Sequence, residues 1–535
     1  MKVITQIIFF LAVIFSMYMR AEAAGEKILF IPVDDRPVTF KQTVEVLEQA
    51  GCEMITPPAE YLRRDDGGKS LEKLLAWLEE NSSSVDAAVI SADAILYGGL
   101  IPSRKHYFDA EVLYSRIEKI VQLHEKNPKL KIYVLSSVMR APHEGTVGSV
   151  EEPEYYAYYG ARIFKYTSLL VKEKFSGLMS GERAELERLR GIIPVAFIDD
   201  WLARRRKNLD ATEKLIDLAN EGVINYLIVG RDDHWTYSQT QSESVELSNY
   251  AQATGTKNFQ LISGIDEFGL LLLARAVNEL RGNHPKVFVE YNKGVGAEIV
   301  PAYSDETVAV AIESELKIAG GSVVDNPATA DFILLVNTDP EGKTYHSHNA
   351  FPSTRENLDY DAYTPRDGTE FFANLVESYV NKNFDVAVAD ITFANGADNP
   401  MMNLLRERNL LFKLHAYAGW NTPNNSLGFA IGTGILAKNI SRDAKDKLLL
   451  TRYLDDWAYQ ANVRTTVGDW IFYNVAGGAQ FYSNFGGKNA EIESRITALM
   501  NEFADKNLRP YKKFPPFVVN SAWNRMFEVD IVFLE

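Results

Sequence analysis

Short apolar runs recur along the first part of the chain, and most of them end abruptly in charged side chains. The clearest run, residues 226–229, is followed within five residues by Arg231, Asp232, Asp233 and His234. A near-continuous hydrophobic run is typical of a buried parallel strand. Polar groups just past the carboxyl end of such a strand are where α/β folds hold their ligands. The pattern therefore predicts an α/β protein with its site at the strand ends.

Eight predicted strands alternate with helices between Lys27 and Tyr291. Eight strand–helix steps over about 265 residues have the length and rhythm of a (β/α)8 barrel. A doubly wound open sheet would give the same alternation. We expect a barrel-like domain over residues 24–293, a second parallel α/β domain over 294–440 and a mainly helical region over 441–535.

The first 23 residues have the features of an export signal. Lys2 supplies a positive charge, residues 4–17 are mostly apolar, and Ala21 and Ala23 fit a small-residue cleavage site. The single cysteine cannot form an intrachain disulfide. We therefore expect an exported protein of the periplasm, cell surface or extracellular space, with no transmembrane segment in the rest of the chain.

The composition argues against several kinds of partner. The net charge of −16 disfavours nucleic acid and anionic membrane surfaces. No Gly-x-Gly-x-x-Gly motif follows a predicted strand and no Walker loop is present, so no nucleotide cofactor is expected. The 7 Trp, 26 Tyr and 28 Phe suit the faces of sugar rings, although most of them belong in the core. A small molecule or an oligosaccharide is the expected substrate, and nothing in the sequence indicates an oligomeric state.

Several strand ends carry groups that could bind a ligand. The first predicted strand ends in Asp34, Asp35 and Arg36, the third reaches Asp93, and the fourth is followed by Arg140. An acid inside an apolar run costs free energy unless it is paired or used, but a salt-bridged turn explains the first strand end equally well. The predicted binding residues on this part of the chain are Asp34, Asp35, Arg36, Asp93, Arg140, Arg231 and His234.

Two adjacent acid pairs are the predicted catalytic groups. Asp199 and Asp200 follow an apolar run that predicts a fifth strand, and Asp232 and Asp233 follow the sixth. Paired carboxylates can divide the roles of acid and of base or nucleophile on a glycosidic bond. A solvated loop with a helix cap is the alternative for Asp232 and Asp233. After the seventh strand, Asp266 is explained equally well as an acid in the first turn of a helix.

The second predicted domain offers one loop of particular interest. Trp420, Asn421 and Asn424 combine a stacking face with amide donors and acceptors, which suits a hydroxyl-rich ligand. Asn424 or Asn425 could instead cap the helix that is predicted to begin at Leu427. We expect the three residues to reach the site of the first domain, since ligands often bind between domains.

Three segments, residues 32–37, 230–233 and 419–425, resemble a family of exported bacterial proteins catalogued as domain-of-unknown-function family 4127. The resemblance covers nearly all of the mature chain. It implies an exported bacterial protein and no particular activity.

Three functions remain open from the sequence. The favoured one is an exported glycoside hydrolase-like enzyme that uses strand-end carboxylates and no metal or cofactor. A metal-dependent hydrolase could use Asp232, Asp233 and His234, with His143 or His415 as a further ligand, but the chain has only 8 His and no His-Glu-x-x-His motif. A non-catalytic protein that binds a solute or glycan is the third.

Overall fold

Two open parallel β-sheets organise the chain in the computed structural model, which describes residues 25–62, 69–143, 151–232, 235–347 and 362–534. The predicted export signal lies outside these ranges, as do Asp233 and His234. The prediction of an α/β protein with parallel sheets is confirmed.

Six parallel strands form the first sheet, in the order β2-β1-β3-β4-β5-β6. They are β1 (Lys27–Ile31), β2 (Glu53–Ile55), β3 (Ala87–Ser91), β4 (Lys131–Val138), β5 (Tyr226–Arg231) and β6 (Phe259–Ser263). Alternate side chains of β1 enter different cores: Phe30 packs on one face of the sheet and Leu29 on the other. The chain reverses its winding direction between β1 and β3, which opens a crevice at their carboxyl ends.

Within the described residues, ten α-helices accompany this sheet. They are α1 (Lys41–Gln49), α2 (Lys69–Asn81), α3 (Ala92–Tyr97), α4 (Leu100–Ser103), α5 (Ala110–Lys126), α6 (Tyr156–Phe175), α7 (Ser180–Ile192), α8 (Val195–Asn220), α9 (Gln239–Thr254) and α10 (Phe268–Arg281). Helices α2, α5 and α8 cover one face and α10 covers the other, so the sheet is doubly wound.

Five parallel strands form the second sheet, in the order β8-β7-β9-β11-β13. The strands of this part are β7 (Lys286–Tyr291), β8 (Ser322–Val323), β9 (Phe332–Asn337), β10 (Tyr345–His346), β11 (Val386–Asp390), β12 (Phe393–Ala394) and β13 (Ala416–Ala418), of which β10 and β12 pair separately. Its helices are α11 (Val308–Ile318), α12 (Thr369–Asn381), α13 (Asn399–Glu407) and α14 (Pro423–Ala437). Numbered within each sheet, the strand order 2-1-3-4-5 is common to both.

Helices α10 and α14 pack against each other between the two sheets. A Cβ atom on Gly432 of α14 would lie only 2.7 Å from Cγ of Leu270 on α10, so the small residue permits the close approach. One hydrophobic cluster runs from Phe30 of β1 through both helices to Leu334 of β9. The two sheets therefore share a core. This packing carries the amino end of α14 to the edge of the first sheet.

The last part of the chain is mostly helical and ends in an antiparallel hairpin. It comprises α15 (Arg442–Arg452), a π-helical stretch (Tyr453–Val463), α16 (Arg464–Asn474), α17 (Gly478–Ser483), α18 (Asn489–Asn507), β14 (Phe517–Ser521) and β15 (Val529–Phe533). Sequence analysis did not predict the hairpin, whose connecting turn reaches the site. Across the described ranges, none of the helices is long and apolar enough to cross a membrane.

The predicted eight-stranded barrel is wrong in two places. Residues 192–198 do not form a fifth strand, because they belong to the end of α7 and the start of α8. Residues 286–291 form β7 of the second sheet rather than an eighth barrel strand. Periodicity alone cannot distinguish a short apolar run in a strand from one in a helix. In the described residues β2 and β6 form the two edges of the sheet and do not pair with each other, so the sheet is open.

Candidate functional site

A polar cavity of about 410 Å³ lies at the carboxyl edge of the first sheet. Its walls come from the turns after β1, β4, β5 and β6, from the start of α14, and from the C-terminal region. Six of the lining residues are arginines: Arg36, Arg104, Arg140, Arg231, Arg464 and Arg525. The cavity occupies the crevice that a doubly wound sheet forms at its strand ends.

The turn after β1 holds Arg36 in the cavity wall. Asp34 accepts hydrogen bonds from the Arg36 backbone N–H at 3.1 Å, from its Nε at 2.9 Å and from the Thr39 hydroxyl at 2.7 Å. The guanidinium also pairs with Asp266, and Glu528 lies 3.4 Å away. The turn after β1 is therefore both salt-bridged and part of the cavity wall, so the two interpretations of this strand end are compatible. The neighbouring Asp35 accepts a hydrogen bond at 2.7 Å from the indole of Trp523, a lining residue.

Arg104 and Arg140 form a second charged group on the wall. Arg104 Nη2 lies 2.7 Å from an oxygen of Asp232, and Arg140 lies 2.8 Å from Glu151 and 2.7 Å from Glu152. Although burial opposes the shift, Arg140, Arg525 and Arg104 together lower the pKa of Glu151. This acid is therefore held as a carboxylate at the centre of the arginine cluster.

Asp93 lies behind this wall rather than in it. It is fully buried in the first turn of α3 and accepts a hydrogen bond at 2.9 Å from the Ser137 hydroxyl. Burial raises the pKa of Asp93 to about 7, although Ser137 and Arg104 oppose the shift. Asp93 therefore supports the site from beneath and does not line the cavity.

Asp266, which follows β6, is a lining carboxyl group on which burial and the neighbouring Arg36 act in opposite directions. Burial raises the pKa of Asp266 to about 6, against the opposing effect of Arg36. Its side chain keeps 10% of its surface exposed, so a ligand can reach it. Asn421 Nδ2 lies 3.4 Å from the same carboxyl group. A carboxyl group with such a pKa can both hold and release a proton near neutral pH.

The loop before α14 meets the first sheet, as expected, but its residues differ in role. Asn421 lines the cavity and donates to Asn425 at 2.8 Å. Asn424 is buried and donates to the Ser263 carbonyl at 3.1 Å, which ties the loop to the end of β6. Trp420 is also buried and does not line the cavity. The N-cap of α14 is Thr422, which forms a capping box with Asn425, and Asn424 is not the cap.

Arg231, the last residue of β5, lines the cavity beside two acids. Its Nη2 is 2.9 Å from Asp305 and also contacts Glu306. Of the predicted site residues, those that line the cavity are Arg36, Arg140, Arg231, Asp232 and Asn421.

The predicted pair Asp199 and Asp200 does not reach the cavity. Both residues lie on α8, where Asp199 is exposed and Asp200 pairs with Arg204 at 2.9 Å and accepts from the Tyr155 hydroxyl at 2.6 Å. Because residues 192–198 are not a strand, the strand-end argument for this pair is wrong.

Sequence analysis missed the contribution of the C-terminal region. Arg464, Tyr482, Trp523, Arg525 and Phe527 all line the cavity. None of them follows a parallel strand, so the signal used for the other residues could not find them. A cluster of aromatic residues and arginines near the chain end was the available hint.

Four lining residues have left-handed backbone conformations. Their φ angles are +67° at Tyr303, +62° at Asn395, +60° at Asn421 and +55° at Trp523. Such a conformation costs on the order of 1–3 kcal/mol for a residue other than glycine. It persists where surrounding contacts hold it, and it concentrates at functional sites.

No cluster of three or more His, Cys, Asp or Glu side chains that could hold a metal ion occurs within the described ranges. The candidate ligands Asp233 and His234 lie outside those ranges. His143 stacks on Trp235 with ring centres 4.3 Å apart, and His415 is buried in the second sheet, 3.0 Å from the Gly434 carbonyl.

Comparison with known proteins places the chain in a family. No curated protein and no solved structure matches it. Residues 28–532 match the family described as protein of unknown function (DUF4127). Because that match spans nearly the whole sequence, including the turn after β1, the end of β5 and the loop before α14, the chain belongs to the DUF4127 family.

Proposed function

We propose that the protein is an exported, carbohydrate-active hydrolase whose substrate binds in the arginine-lined cavity. The observation that carries the proposal is Asp266, a partly accessible carboxyl group whose pKa burial raises to about 6. A second carboxylate, Asp232, lines the same cavity beside Arg104. Two carboxyl groups in different environments can act as acid and as base or nucleophile on a glycosidic bond.

The remaining lining suits a sugar. Tyr303, Trp523 and Phe527 contribute aromatic side chains to the cavity wall, and Asn395 and Asn421 offer amide donors and acceptors. The volume of about 410 Å³ lies in the range of small-molecule sites. Such a mixture of rings and polar groups supports a hydroxyl-rich ligand.

We assign the roles as follows. Asp266 protonates the leaving oxygen, because its raised pKa leaves part of the population protonated below neutral pH. Asp232 acts as the base or nucleophile, since it lines the same cavity and Arg104 Nη2 holds one of its oxygens at 2.7 Å. Asp266 therefore replaces the helical pair Asp199 and Asp200 in the proposal. The export component rests on residues 1–23 alone.

The test measures the release of reducing ends from a panel of neutral and acidic oligosaccharides by the purified mature protein. Asp266→Asn is expected to lower kcat on the best substrate by about 100-fold or more, the usual effect of losing a general acid. Asp199→Asn is the matched control, because Asp199 is exposed on α8, and it should retain full activity.

Full turnover by Asp266→Asn would overturn the assignment. Saturable binding of an oligosaccharide without any cleavage would instead favour a non-catalytic binding protein. Activity that is lost with chelator and restored by a divalent ion would favour the metal-dependent alternative.

A further inference from the structure

Arg464 differs from the other arginines of the cavity because no carboxylate among the described residues pairs with it. It begins α16 and is 5% exposed. Its Nε donates to the Tyr482 hydroxyl at 3.0 Å, and its Nη1 donates to the Gln460 side chain. In the part of the chain that the structure describes, no carboxylate lies within ion-pair distance of this guanidinium, whereas the other five lining arginines all have carboxylate partners.

A buried guanidinium without a counter-ion is expensive. Arginine cannot lose its proton inside a protein. Moving its charge out of water therefore carries a large desolvation penalty when no counter-ion offsets it. The remaining nitrogen of Arg464, Nη2, has no hydrogen-bond partner among the described residues. It is not among their completely buried, unpartnered side-chain atoms, so it keeps some exposed surface. A charge that the protein leaves unmatched at the wall of a cavity can be matched by a ligand in that cavity.

The position of Arg464 is fixed by an alternating row of guanidinium groups and rings. Arg36 and Arg525 lie 5.1 and 4.7 Å from the centre of the Trp523 ring. Arg525 and Arg464 lie 5.5 and 4.5 Å from the centre of the Phe527 ring. Contacts of this kind hold a cation in place without neutralising it. Arg464 is therefore oriented before any ligand binds, which reduces the entropy lost on binding.

The balance of charge limits how many acidic groups the ligand can bring. The five other lining arginines are paired with at least eight carboxylates. The cavity as a whole therefore has no excess of positive charge for a polyanion. Within the described residues, Arg464 is the lining arginine without a carboxylate partner, so the part of the cavity beside it favours a negative group.

We propose that the substrate is an acidic saccharide with a single negatively charged group, a carboxylate or a sulfate or phosphate ester, which binds Arg464. The saccharide part of this statement rests on the proposed function, and the acidic group rests on Arg464. The rest of the ligand occupies the part of the cavity where the arginines are already paired.

The test titrates the mature protein with four probes, glucose, glucuronate, glucose 6-sulfate and glucose 6-phosphate, by isothermal calorimetry. At least one charged probe should bind more tightly than glucose, and the order of the three charged probes identifies the acidic group. Arg464→Gln should weaken the best charged probe by about 10-fold or more, the usual value of a hydrogen bond to a charged group, and should leave glucose unchanged. Arg183→Gln, at an exposed position on α7, is the matched control and should bind like the wild type.

Thermal stability provides a second measurement, which distinguishes a ligand-binding role of Arg464 from a structural role. Because Arg464→Gln removes an unmatched buried charge, its melting temperature without ligand should be unchanged or higher. If that variant does not fold, Arg464→Lys keeps the charge but loses the planar fork, and it should weaken the charged probe several-fold. The proposal is overturned if no charged probe binds better than glucose, or if both variants bind the charged probes like the wild type.

The two proposals can fail separately. If a charged probe binds in a way that depends on Arg464 but no oligosaccharide is cleaved, the hydrolase proposal is contradicted and the acidic-ligand proposal is supported. The protein could instead cleave neutral oligosaccharides in a reaction that requires Asp266 and is unaffected by Arg464→Gln. That result would support the hydrolase proposal and contradict the acidic-ligand proposal.

Discussion

The two sheets have the same strand order, but their carboxyl edges are built differently. At the edge of the first sheet, charged side chains line a cavity of about 410 Å³. At the edge of the second, polar side chains bind one another: Asn337 donates to Asp390 at 2.9 Å and to Asp398 at 3.1 Å, and Tyr417 donates to Asp390 at 3.0 Å. Burial also raises the pKa of Asp390, to about 7.

The comparison shows that topology provides the crevice and side chains decide its use. The carboxyl groups of the second edge are buried and hydrogen-bonded within the protein. Asp266 and Arg464, by contrast, line a cavity, and Arg464 has no carboxylate partner among the described residues. We therefore expect substitutions at the first edge to change activity and substitutions at the second to change stability.

The largest effect is expected from Asp232→Asn at the first edge. The loss of this carboxylate should lower kcat by about 100-fold or more if it is the base or nucleophile. Arg104 keeps Glu151 and Glu152 as partners at 3.4 and 3.6 Å, so the melting temperature should change little. Kinetics and thermal unfolding of the same preparation test both parts. Normal turnover would remove Asp232 from the mechanism.

The pH dependence of stability should come mainly from the raised carboxyl pKa values. The folded pKa of Asp390, about 7, lies above its ordinary value of 3.8, because burial disfavours the charged form, so the folded state holds the proton more tightly. This stabilisation is complete below about pH 4 and is lost as the pH rises through about 7. The free energy of unfolding, measured in urea, should therefore fall between pH 5 and pH 8. Asp390→Asn should flatten this slope without moving the pH profile of activity, and an unchanged slope would contradict the prediction.

A smaller loss of stability is expected from Asp398→Ala at the second edge. Asp398 accepts from the Met401 N–H as the cap of α13 and pairs with Arg366. Its removal should cost about 1–3 kcal/mol, from the lost cap and the unpaired guanidinium. Urea unfolding measures the loss, and kcat should be unchanged. A fall in kcat with normal stability would mean that the second edge takes part in the reaction.

The smallest effect is expected from Asn421→Gly. Asn421 has φ +60°, so glycine keeps the backbone conformation that alanine would strain. The loss of one amide contact should weaken ligand binding by roughly 3- to 10-fold, the value of a single hydrogen bond. The melting temperature should stay close to that of the wild type. Unchanged binding, or a drop of several degrees, would assign Asn421 to the scaffold.

Much of the fold and part of the site could be predicted from local patterns. The apolar run at residues 226–229 is a buried parallel strand, and Arg36, Arg231 and Asp232 lie in the cavity wall after their strands. These predictions succeed because strand burial and the polarity of strand ends are encoded within a few consecutive residues. The same local rule failed at residues 192–198, since an apolar run of that length fits a helix equally well.

By itself, then, the sequence determined the parallel α/β class, the family and the strand-end half of the cavity wall. Only the tertiary structure decided that the sheets are open, that Asp266 rather than Asp199 lies in the cavity, and that Arg464 has no carboxylate partner among the described residues. The physical reason is distance along the chain. Arg36 and Glu528 meet across 492 positions, and the burial and pairing that set the charge of such groups arise only when distant segments pack together.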